Sequence, residues 1–336
     1  MGITIRDVAQ AAGVSTATVS RALRGLPNVD EQTRVRVQRI AADLDYVISP
    51  SASRLASGRT GSVAVITPYI ARWFFSTVLS GAESVLQSAG MDLLLLSVSN
   101  PDAQHRNPPA PRLRRRVDGV LSIALRSDDP ELLEVLDLGM PTSLIGVTMK
   151  GVPSVSIDDV HAARTATQHL VNLGHQRIGL IGGSAMMTPF TAGHDRREGF
   201  LQVLAEAGIA FEPRMESYGY FTIAGGEQAM TSLLNQSSPP TAVFAMSDEM
   251  AFGALRAMRS HGLQPGEDIS IVGIDGHDMS ELLDLSTVAQ PVIDLGRSAA
   301  EALLLQLKDP DTDTSHDEIR MPTRLIVRGS TRPRST

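Results

Sequence analysis

Residues 4–24 read TIRDVAQAAGVSTATVSRALR, a pattern that predicts two short helices joined by a turn at Gly13. Thr4 and Ser15 are of the residue type that caps helix N-termini. On the first helix the apolar residues recur three and four positions apart and form one stripe: Ile5, Val8, Ala9 and Ala12. The second helix has a narrow apolar side and displays short polar side chains and an arginine, which is typical of a helix-turn-helix that binds in the DNA major groove. The alternative is an ordinary helical hairpin with a solvated face.

A third helix is predicted from Asp30 to about Leu44, and it completes a three-helix head. Residues 1–60 contain eight arginines and five acidic residues, a net charge of +3, whereas the whole chain carries −7. A basic head attracts phosphate and an acidic remainder repels it. We therefore expect duplex DNA to bind at one end of the molecule.

Length and composition limit the other possibilities. A chain of 336 residues suggests two or three domains, at roughly 150 residues each. The absence of cysteine excludes disulfides and thiolate metal sites, and the histidines lack metal-ligand spacing, so we expect neither a metal nor a cofactor. The sequence has no signal-peptide pattern and no apolar run of the roughly 20 residues that a membrane span needs. These features predict a cytoplasmic protein that does not contact a membrane.

After about residue 60, short apolar runs alternate with amphipathic stretches, which predicts doubly wound α/β sheets. The predicted strands cover residues 63–67, 92–98, 119–124, 142–146, 177–181, 215–218, 242–245 and 269–274. The predicted helices cover residues 75–89, 129–138, 159–173, 196–207, 225–235 and 248–261. So many strands indicate two lobes, and ligands of such folds bind at the carboxyl ends of the strands.

Several strings in the chain also occur, in this order, in one known family. The head contains TIRDVA at 4–9, VSRAL at 19–23, VDEQTRVRV at 29–37 and LDY at 44–46. The body contains LGHQRI at 173–178, RREGF at 196–200, SDEMAFGA at 247–254 and DISIVGID at 268–275. With these strings the whole chain resembles the lactose-repressor (LacI) family of bacterial transcription regulators.

The resemblance implies an α + α/β fold, in which a three-helix helix-turn-helix head precedes a two-lobed, periplasmic-binding-protein-like, doubly wound α/β body. It also implies a homodimer. The implied boundaries are a DNA-binding head at 1–47, a hinge helix and linker at 48–60, a dimerising lobe 1 at 61–158 and 288–321, and a lobe 2 at 159–287 and 322–336.

The resemblance also implies which residues bind DNA. It places Thr16, Ala17 and Arg21 at base edges, Ser15, Thr18 and Ser20 nearer phosphate, and Thr4 among the DNA-binding residues. Arg21 is the strongest candidate on physical grounds, because a guanidinium can make a bidentate contact to guanine.

In the hinge, the resemblance makes Leu55 a wedge that enters the minor groove, with Ala52 nearby. The alternative is a flexible linker with an incidental leucine. The family commonly has a proline two residues after the tyrosine, where this chain has Ile48, and the proline here comes later, at Pro50.

Candidate effector-binding residues follow the body strands. Tyr69, Trp73 and Phe74 come after the first strand, where they can stack on a sugar or base, and core packing is the alternative. The resemblance makes Arg196 and Asp275 effector anchors, and an ion pair that closes the lobes is the alternative. Gly146 and Ser247 stand where many sugar-responsive members have Asp and Asn. The effector therefore either differs from the usual sugars or is contacted through other residues.

These features predict a repressor that binds a palindromic operator as a homodimer and is switched by a small molecule, a sugar or related metabolite, in the cleft between the lobes. The chain has no dinucleotide fingerprint, phosphate-binding lysine loop or nucleophile elbow, so we do not expect an enzyme. One alternative is a DNA-binding regulator with a vestigial cleft that is controlled by a protein partner. The other is a small-molecule binding protein, which would need export.

Overall fold

The structure is a computed structural model of the chain that describes residues 3–23, 25–46, 59–98, 109–183, 191–309 and 318–334. The chain divides into two compact units, residues 1–61 and 62–336. The predicted hinge residues Ala52 and Leu55 lie outside the described residues.

The first unit contains the predicted three helices: α1 (Ile5–Ala12), α2 (Thr16–Leu23) and α3 (Glu31–Asp43). Their shared core includes Val8, Val19 and Val37, none of which is exposed. Gly13 has a φ of 65°, a left-handed conformation that ends α1 and that glycine adopts without strain. The apolar spacing therefore predicted both the helices and the faces that they bury.

The second unit contains two six-stranded sheets, and all strand pairs of the first sheet are parallel. The first sheet has the order β11-β5-β4-β3-β1-β2. Its strands are β1 (Ser62–Thr67), β2 (Asp92–Ser97), β3 (Gly119–Ile123), β4 (Thr142–Ile145), β5 (Ser154–Ile157) and β11 (Glu318–Met321). The helices of this half are α4 (Trp73–Ser88), α5 (Pro109–Leu113), α6 (Pro130–Leu136) and α12 (Val292–Lys308). We call the first sheet and these helices lobe 1.

The second sheet has the order β12-β10-β9-β8-β6-β7, in which β12 runs antiparallel to β10 and the other pairs are parallel. Its strands are β6 (Ile178–Gly182), β7 (Glu216–Tyr218), β8 (Ala242–Ala245), β9 (Ser270–Asp275), β10 (Ser286–Ala289) and β12 (Arg324–Ile326). Its helices are α7 (Asp159–Asn172), α8 (Ala192–Glu206), α9 (Ile223–Leu234), α10 (Asp248–Ser260) and α11 (Met279–Leu282), with a 3₁₀ turn at Pro213–Met215. We call this half lobe 2.

The chain crosses between the lobes three times: after β5, after β10 and between β11 and β12. Val288 and Ala289 pair with β9 and β12 of the second sheet, so the second crossing falls after Ala289 and not at the predicted residue 288. All eight predicted strands are present, and the sequence patterns did not predict β5, β10, β11, β12 or the helices α5, α11 and α12.

Lobe 1 is held together where α4 crosses α12. A Cβ atom on Gly81 would lie 2.1 Å from the carbonyl oxygen of Ile293, and one on Gly296 would lie 2.0 Å from that of Val78. The two backbones are thus in contact, and neither position has room for a side chain. In the part of the chain that the structure describes, no helix is long and apolar enough to cross a membrane.

Candidate functional site

The outer face of α2 is the first candidate surface. Val19 and Ala22 are buried in the head core. Thr16, Ala17 and Arg21 are exposed on the other side of the helix, and Thr18 and Ser20 are half-buried. The helix thus presents the predicted base-contacting residues to solvent as one short polar surface.

Three of the predicted DNA-binding residues have local bonding partners. The Ser15 hydroxyl accepts a hydrogen bond from the backbone amide of Thr18 at 3.1 Å, and the two side-chain hydroxyls are 2.9 Å apart. The Thr4 hydroxyl donates to the Asp7 carboxylate at 2.7 Å, and its backbone amide donates to the same oxygen at 2.8 Å. These contacts stabilise the first turns of α2 and α1.

Arg21 differs from these residues because its guanidinium has no hydrogen bond or ion pair with any other described residue. Its five N–H donors are therefore available to an external acceptor. Most of the hydrogen-bonding capacity of α2 toward a partner lies in this side chain.

The second candidate site is a pocket at the carboxyl ends of strands from both sheets, with about 670 Å³ of space that is partly open to solvent. Five of the predicted effector-binding residues line it: Phe74, Gly146, Arg196, Ser247 and Asp275. The other lining residues are Arg72, Phe75, Ala124, Ile157, Asp159, Ala192, Phe221, Glu249, Gln290 and Leu295. The remaining two predicted residues, Tyr69 and Trp73, are not part of the lining.

Arg196 on α8 is the most heavily bonded side chain in the pocket, and it is only 5% exposed. Its Nε donates to Asp159 Oδ1 at 2.7 Å, and its Nη1 donates to the carbonyl oxygen of Met246. Nη1 also lies 3.7 Å from Asp275 Oδ1. Burial opposes the charge of Arg196, but the carboxylates outweigh burial, so the pKa of Arg196 lies above its ordinary value.

These partners of Arg196 all belong to lobe 2. Asp159 begins α7 and Asp275 ends β9, and both elements are part of the second half of the body. The pair of Arg196 and Asp275 therefore does not bridge the lobes, and the alternative of a lobe-closing ion pair between them is wrong.

Asp275 is buried at the end of β9, with a φ of 138°. Its Oδ1 accepts a hydrogen bond from Gln290 Nε2 at 2.7 Å. Burial raises the pKa of Asp275 to about 8, although Arg196 acts in the opposite direction. A carboxyl group with this pKa can accept or donate a hydrogen bond near neutral pH.

Asp248, the first residue of α10, holds the loop after β9 in place. This fully buried carboxylate accepts hydrogen bonds from Thr287 Oγ1 at 2.7 Å, the His277 amide at 2.9 Å and Ser280 Oγ at 2.8 Å. Burial raises the pKa of Asp248, and these hydrogen bonds counteract the rise. The network fixes the position of His277.

The ring of Trp73, at the start of α4 in lobe 1, stacks on the ring of His277 in lobe 2. The ring centroids are 4.5 Å apart, and Trp73 Nε1 donates to Asp278 Oδ2 at 3.4 Å. Phe252 packs edge-on against the same imidazole at 5.0 Å. We call the contact of Trp73 with His277 the Trp73–His277 stack, and it joins the two lobes.

Arg72 makes a second contact between the lobes. Its guanidinium lies 3.6 Å from the ring centroid of Tyr69, and Nη1 donates to the carbonyl oxygen of Tyr220 at 3.5 Å. Tyr69 also packs edge-on against Phe75. Tyr69 therefore positions Arg72 and Phe75, which do line the pocket.

The backbone conformation of Gly146 and the capping role of Ser247 suit these two residue types. Gly146 has a φ of 76°, a conformation that L side chains rarely adopt. The Ser247 hydroxyl accepts the amide of Met250 at 3.3 Å and caps α10. Neither residue brings a carboxylate or an amide side chain to the pocket.

Several lining residues were not predicted as site residues. Asp159 begins a predicted helix and Glu249 lies in the string SDEMAFGA, so both were within recognised patterns. Gln290 and Phe221 follow no local pattern that indicates a ligand. Only the tertiary structure brings these four side chains together.

Two family profiles match this chain. Residues 4–49 match the profile described as bacterial regulatory proteins, lacI family, and residues 167–331 match the periplasmic binding protein-like domain.

Known proteins are similar over most or nearly all of the chain. The HTH-type transcriptional repressor CytR of Escherichia coli (strain K12) is 35% identical over 334 residues, which cover 98% of this chain and 96% of CytR. The lac repressor dimer bound to operator and the anti-inducer ONPF has a TM-score of 0.86 at 27% identity, covering 99% of this chain and 100% of that one. A LacI family regulator from Enterococcus faecium with bound ribose has a TM-score of 0.72 at 32% identity, covering 82% and 100%.

Proposed function

The chain belongs to the lacI family of bacterial regulatory proteins, and from this premise we propose that it is a repressor whose affinity for its operator is set by a small molecule bound between its two lobes. It is a DNA-binding transcriptional regulator, as are its relatives. Because its target is bacterial DNA, we place it in the cytoplasm, and we assign it no enzymatic step.

The DNA-binding part of the proposal rests on the exposed face of α2. The guanidinium of Arg21 is exposed and has no partner in the described part of the chain, and the opposite side of its helix is buried in the head core. A homodimer presents two such helices, which fit two half-sites of a palindromic operator. The operator-bound dimer of the similar lac repressor supports this assembly.

The observation that carries the proposed switch is that both lobes line one pocket. Phe74 and Gly146 come from lobe 1, whereas Arg196 and Asp275 come from lobe 2. A molecule that contacts all four binds the closed arrangement of the lobes more tightly than an open one. That difference in affinity is the free energy by which the effector shifts the equilibrium of the dimer and changes operator binding.

The DNA-binding proposal is tested by selecting fragments of the source genome with the purified full-length protein. We expect enrichment of a site with two-fold symmetry, bound about 10³-fold or more tightly than random duplex at physiological salt. Equal retention of all fragments with the same salt dependence contradicts sequence-specific binding.

The switch is tested by adding small molecules to the protein–operator complex and measuring operator affinity by fluorescence anisotropy. A panel of unmodified sugars, nucleosides and their phosphates covers the chemistry of the pocket. We expect at least one compound to change operator affinity, and to lose that effect when Phe221→Ala removes an aromatic wall of the pocket. A compound that acts equally on the wild type and on this variant binds elsewhere.

A further inference from the structure

We infer that the pocket selects an uncharged effector and rejects phosphorylated or carboxylated compounds, because Asp159 already compensates the charge of Arg196. This inference rests on the proposed role of the pocket as the effector site. It names Asp159 as the residue that sets the charge of the molecule accepted.

The bonding of Arg196 is the first argument. Nε is bound to the Asp159 carboxylate at 2.7 Å, and Nη1 is bound to the carbonyl of Met246. Both partners are part of the protein, so an anionic ligand would have to displace Asp159 or share the guanidinium with it. Side chains of this pair are only 6% and 12% exposed, and water does little to screen them.

The charge of the whole lining is the second argument. Three carboxyl groups, those of Asp159, Glu249 and Asp275, face two guanidiniums, those of Arg72 and Arg196. Arg72 already lies over the Tyr69 ring and donates to Tyr220. An anion entering this partly dehydrated space meets at least as much negative as positive charge and loses its hydration without compensation.

The protonation state of Asp275 does not alter this conclusion. With a pKa raised to about 8, Asp275 holds its proton at pH 7, and Asp159 alone then compensates Arg196. If Asp275 is ionised, the lining becomes more negative. In both states the pocket has no excess positive charge to offer a phosphate.

An uncharged ligand has suitable partners in the same pocket. Asp275 and Gln290 offer hydrogen-bond donors and acceptors to hydroxyl or amino groups, and the rings of Phe74 and Phe221 offer apolar faces. The effector class that fits is an uncharged ring compound with several hydroxyl groups.

The first test converts the pocket with Asp159→Asn and uses inorganic phosphate as the probe. Thermal unfolding at pH 7 is compared in phosphate and in chloride at equal ionic strength. We expect phosphate to raise the unfolding midpoint of D159N by about 2–4 °C more than that of the wild type, since Arg196 then lacks its compensating charge.

Asp128→Asn is the matched control, because it removes the carboxylate of an exposed pair with Arg126 at 2.7 Å. The general stabilising effect of phosphate raises the midpoint of this variant and of the wild type equally. In the double variant D159N/R196Q the additional rise disappears. An equal phosphate effect in D159N, D128N and the wild type overturns the inference.

The second test uses the wild-type protein and does not depend on the folding of a variant. Matched pairs, such as ribose with ribose 5-phosphate and adenosine with its 5′-phosphate, are titrated while the emission of Trp73 is recorded. We expect each phosphorylated compound to bind at least about tenfold more weakly than its partner, a difference of about 1.4 kcal/mol. Tighter binding of a phosphorylated member overturns the inference and leaves the proposed effector site standing.

Failure of every compound to bind contradicts the proposed effector site, and the phosphate response of D159N still decides the role of Asp159. The two proposals thus fail under different results.

Discussion

Two arginines, one in each unit, show how the surroundings of a guanidinium determine its use. Arg21 on α2 is exposed and has no bonding partner among the described residues. Arg196 in the pocket is 5% exposed and is bound by Asp159 and the carbonyl of Met246, with Asp275 nearby. The first can form a new bidentate bond to a base, whereas the charge of the second is already compensated by the Asp159 carboxylate.

The two arginines show that the charge of a guanidinium and the availability of its hydrogen-bond donors are separate properties. Both side chains carry the same charge, but no donor of the Arg21 guanidinium is bound by another described residue, whereas Arg196 already donates from Nε to Asp159 and from Nη1 to the Met246 carbonyl. An anion that binds at Arg196 has to displace Asp159 or share the buried guanidinium with it. The following experiments test this difference, beginning with the largest expected effect.

Arg196→Met is expected to destabilise the body by about 3–5 kcal/mol, because it leaves the Asp159 carboxylate buried without its cation. Urea unfolding followed by Trp73 emission measures the loss. Arg164→Met is the control, since the pair of Arg164 with Glu206 is more exposed and should contribute little to stability. Equal losses in the two variants would show that Arg196 is not held by a buried pair.

Arg21→Ala is expected to leave stability unchanged and to cost about 1–3 kcal/mol of discrimination between operator and random duplex. The reason is that Arg21 has no bonding partner among the described residues and carries donors that are available to a base edge. Binding to both duplexes is measured over a series of salt concentrations. Arg39→Ala, which removes an exposed arginine of α3, is the control. It should either weaken binding to operator and to random duplex by the same factor or leave both unchanged. Unchanged discrimination between operator and random duplex in R21A would show that Arg21 does not read a base.

Asp275→Asn tests which carboxylate compensates Arg196. Burial raises the pKa of Asp275 from 3.8 to about 8, so the folded protein holds a proton that the unfolded chain releases. This stabilisation is complete below about pH 4 and is lost as pH rises towards 8, with a slope of at most about 1.4 kcal/mol per pH unit.

We expect urea midpoints measured from pH 5 to pH 8 to show this decline in the wild type and a shallower one in D275N. If the decline is instead the same in D275N, Asp275 is ionised in the folded protein over this pH range and shares the compensation of Arg196 with Asp159.

His277→Ala is expected to have the smallest effect, because it removes the Trp73–His277 stack. Aromatic pairs contribute about 0.5–1.5 kcal/mol, so affinity for an effector that requires closed lobes should fall about 2- to 10-fold. Burial lowers the pKa of His277, so the ring is neutral at pH 7. In the wild type, Trp73 emission should therefore change with a midpoint below pH 6.5, and this change should be absent in H277A. A pH response that persists in the variant assigns it to another group.

Local periodicity predicted the parts of the fold that depend on nearby residues. The apolar stripe of α1, the cap at Asp30 and the alternation of strands and helices in the body are all confirmed. The pattern missed β5, where the buried Ser154 and Ser156 interrupt the apolar run. It also missed α12, where Leu303, Leu304 and Leu305 are consecutive and obscure the helical period.

The site was less predictable because its contacts join distant parts of the chain. Arg196 and Asp275 were predicted as anchors through the family resemblance, but nothing local couples Asp159 to Arg196, 37 residues away. Trp73 was predicted to stack on a ligand, and in the structure its ring lies on His277. Its role toward an effector stays a prediction.

The crossing of α4 and α12 at Gly81 and Gly296 bears on how this protein can diversify. The first turn of α4 carries Phe74 into the pocket, and α12 starts two residues after Gln290. Since neither glycine admits a side chain, the scaffold beneath these two pocket residues resists mutation. Evolution can therefore exchange the side chains that choose the metabolite while the backbone that carries them stays the same. A new effector specificity can therefore arise by substitution of pocket side chains without a change in the packing of α4 on α12.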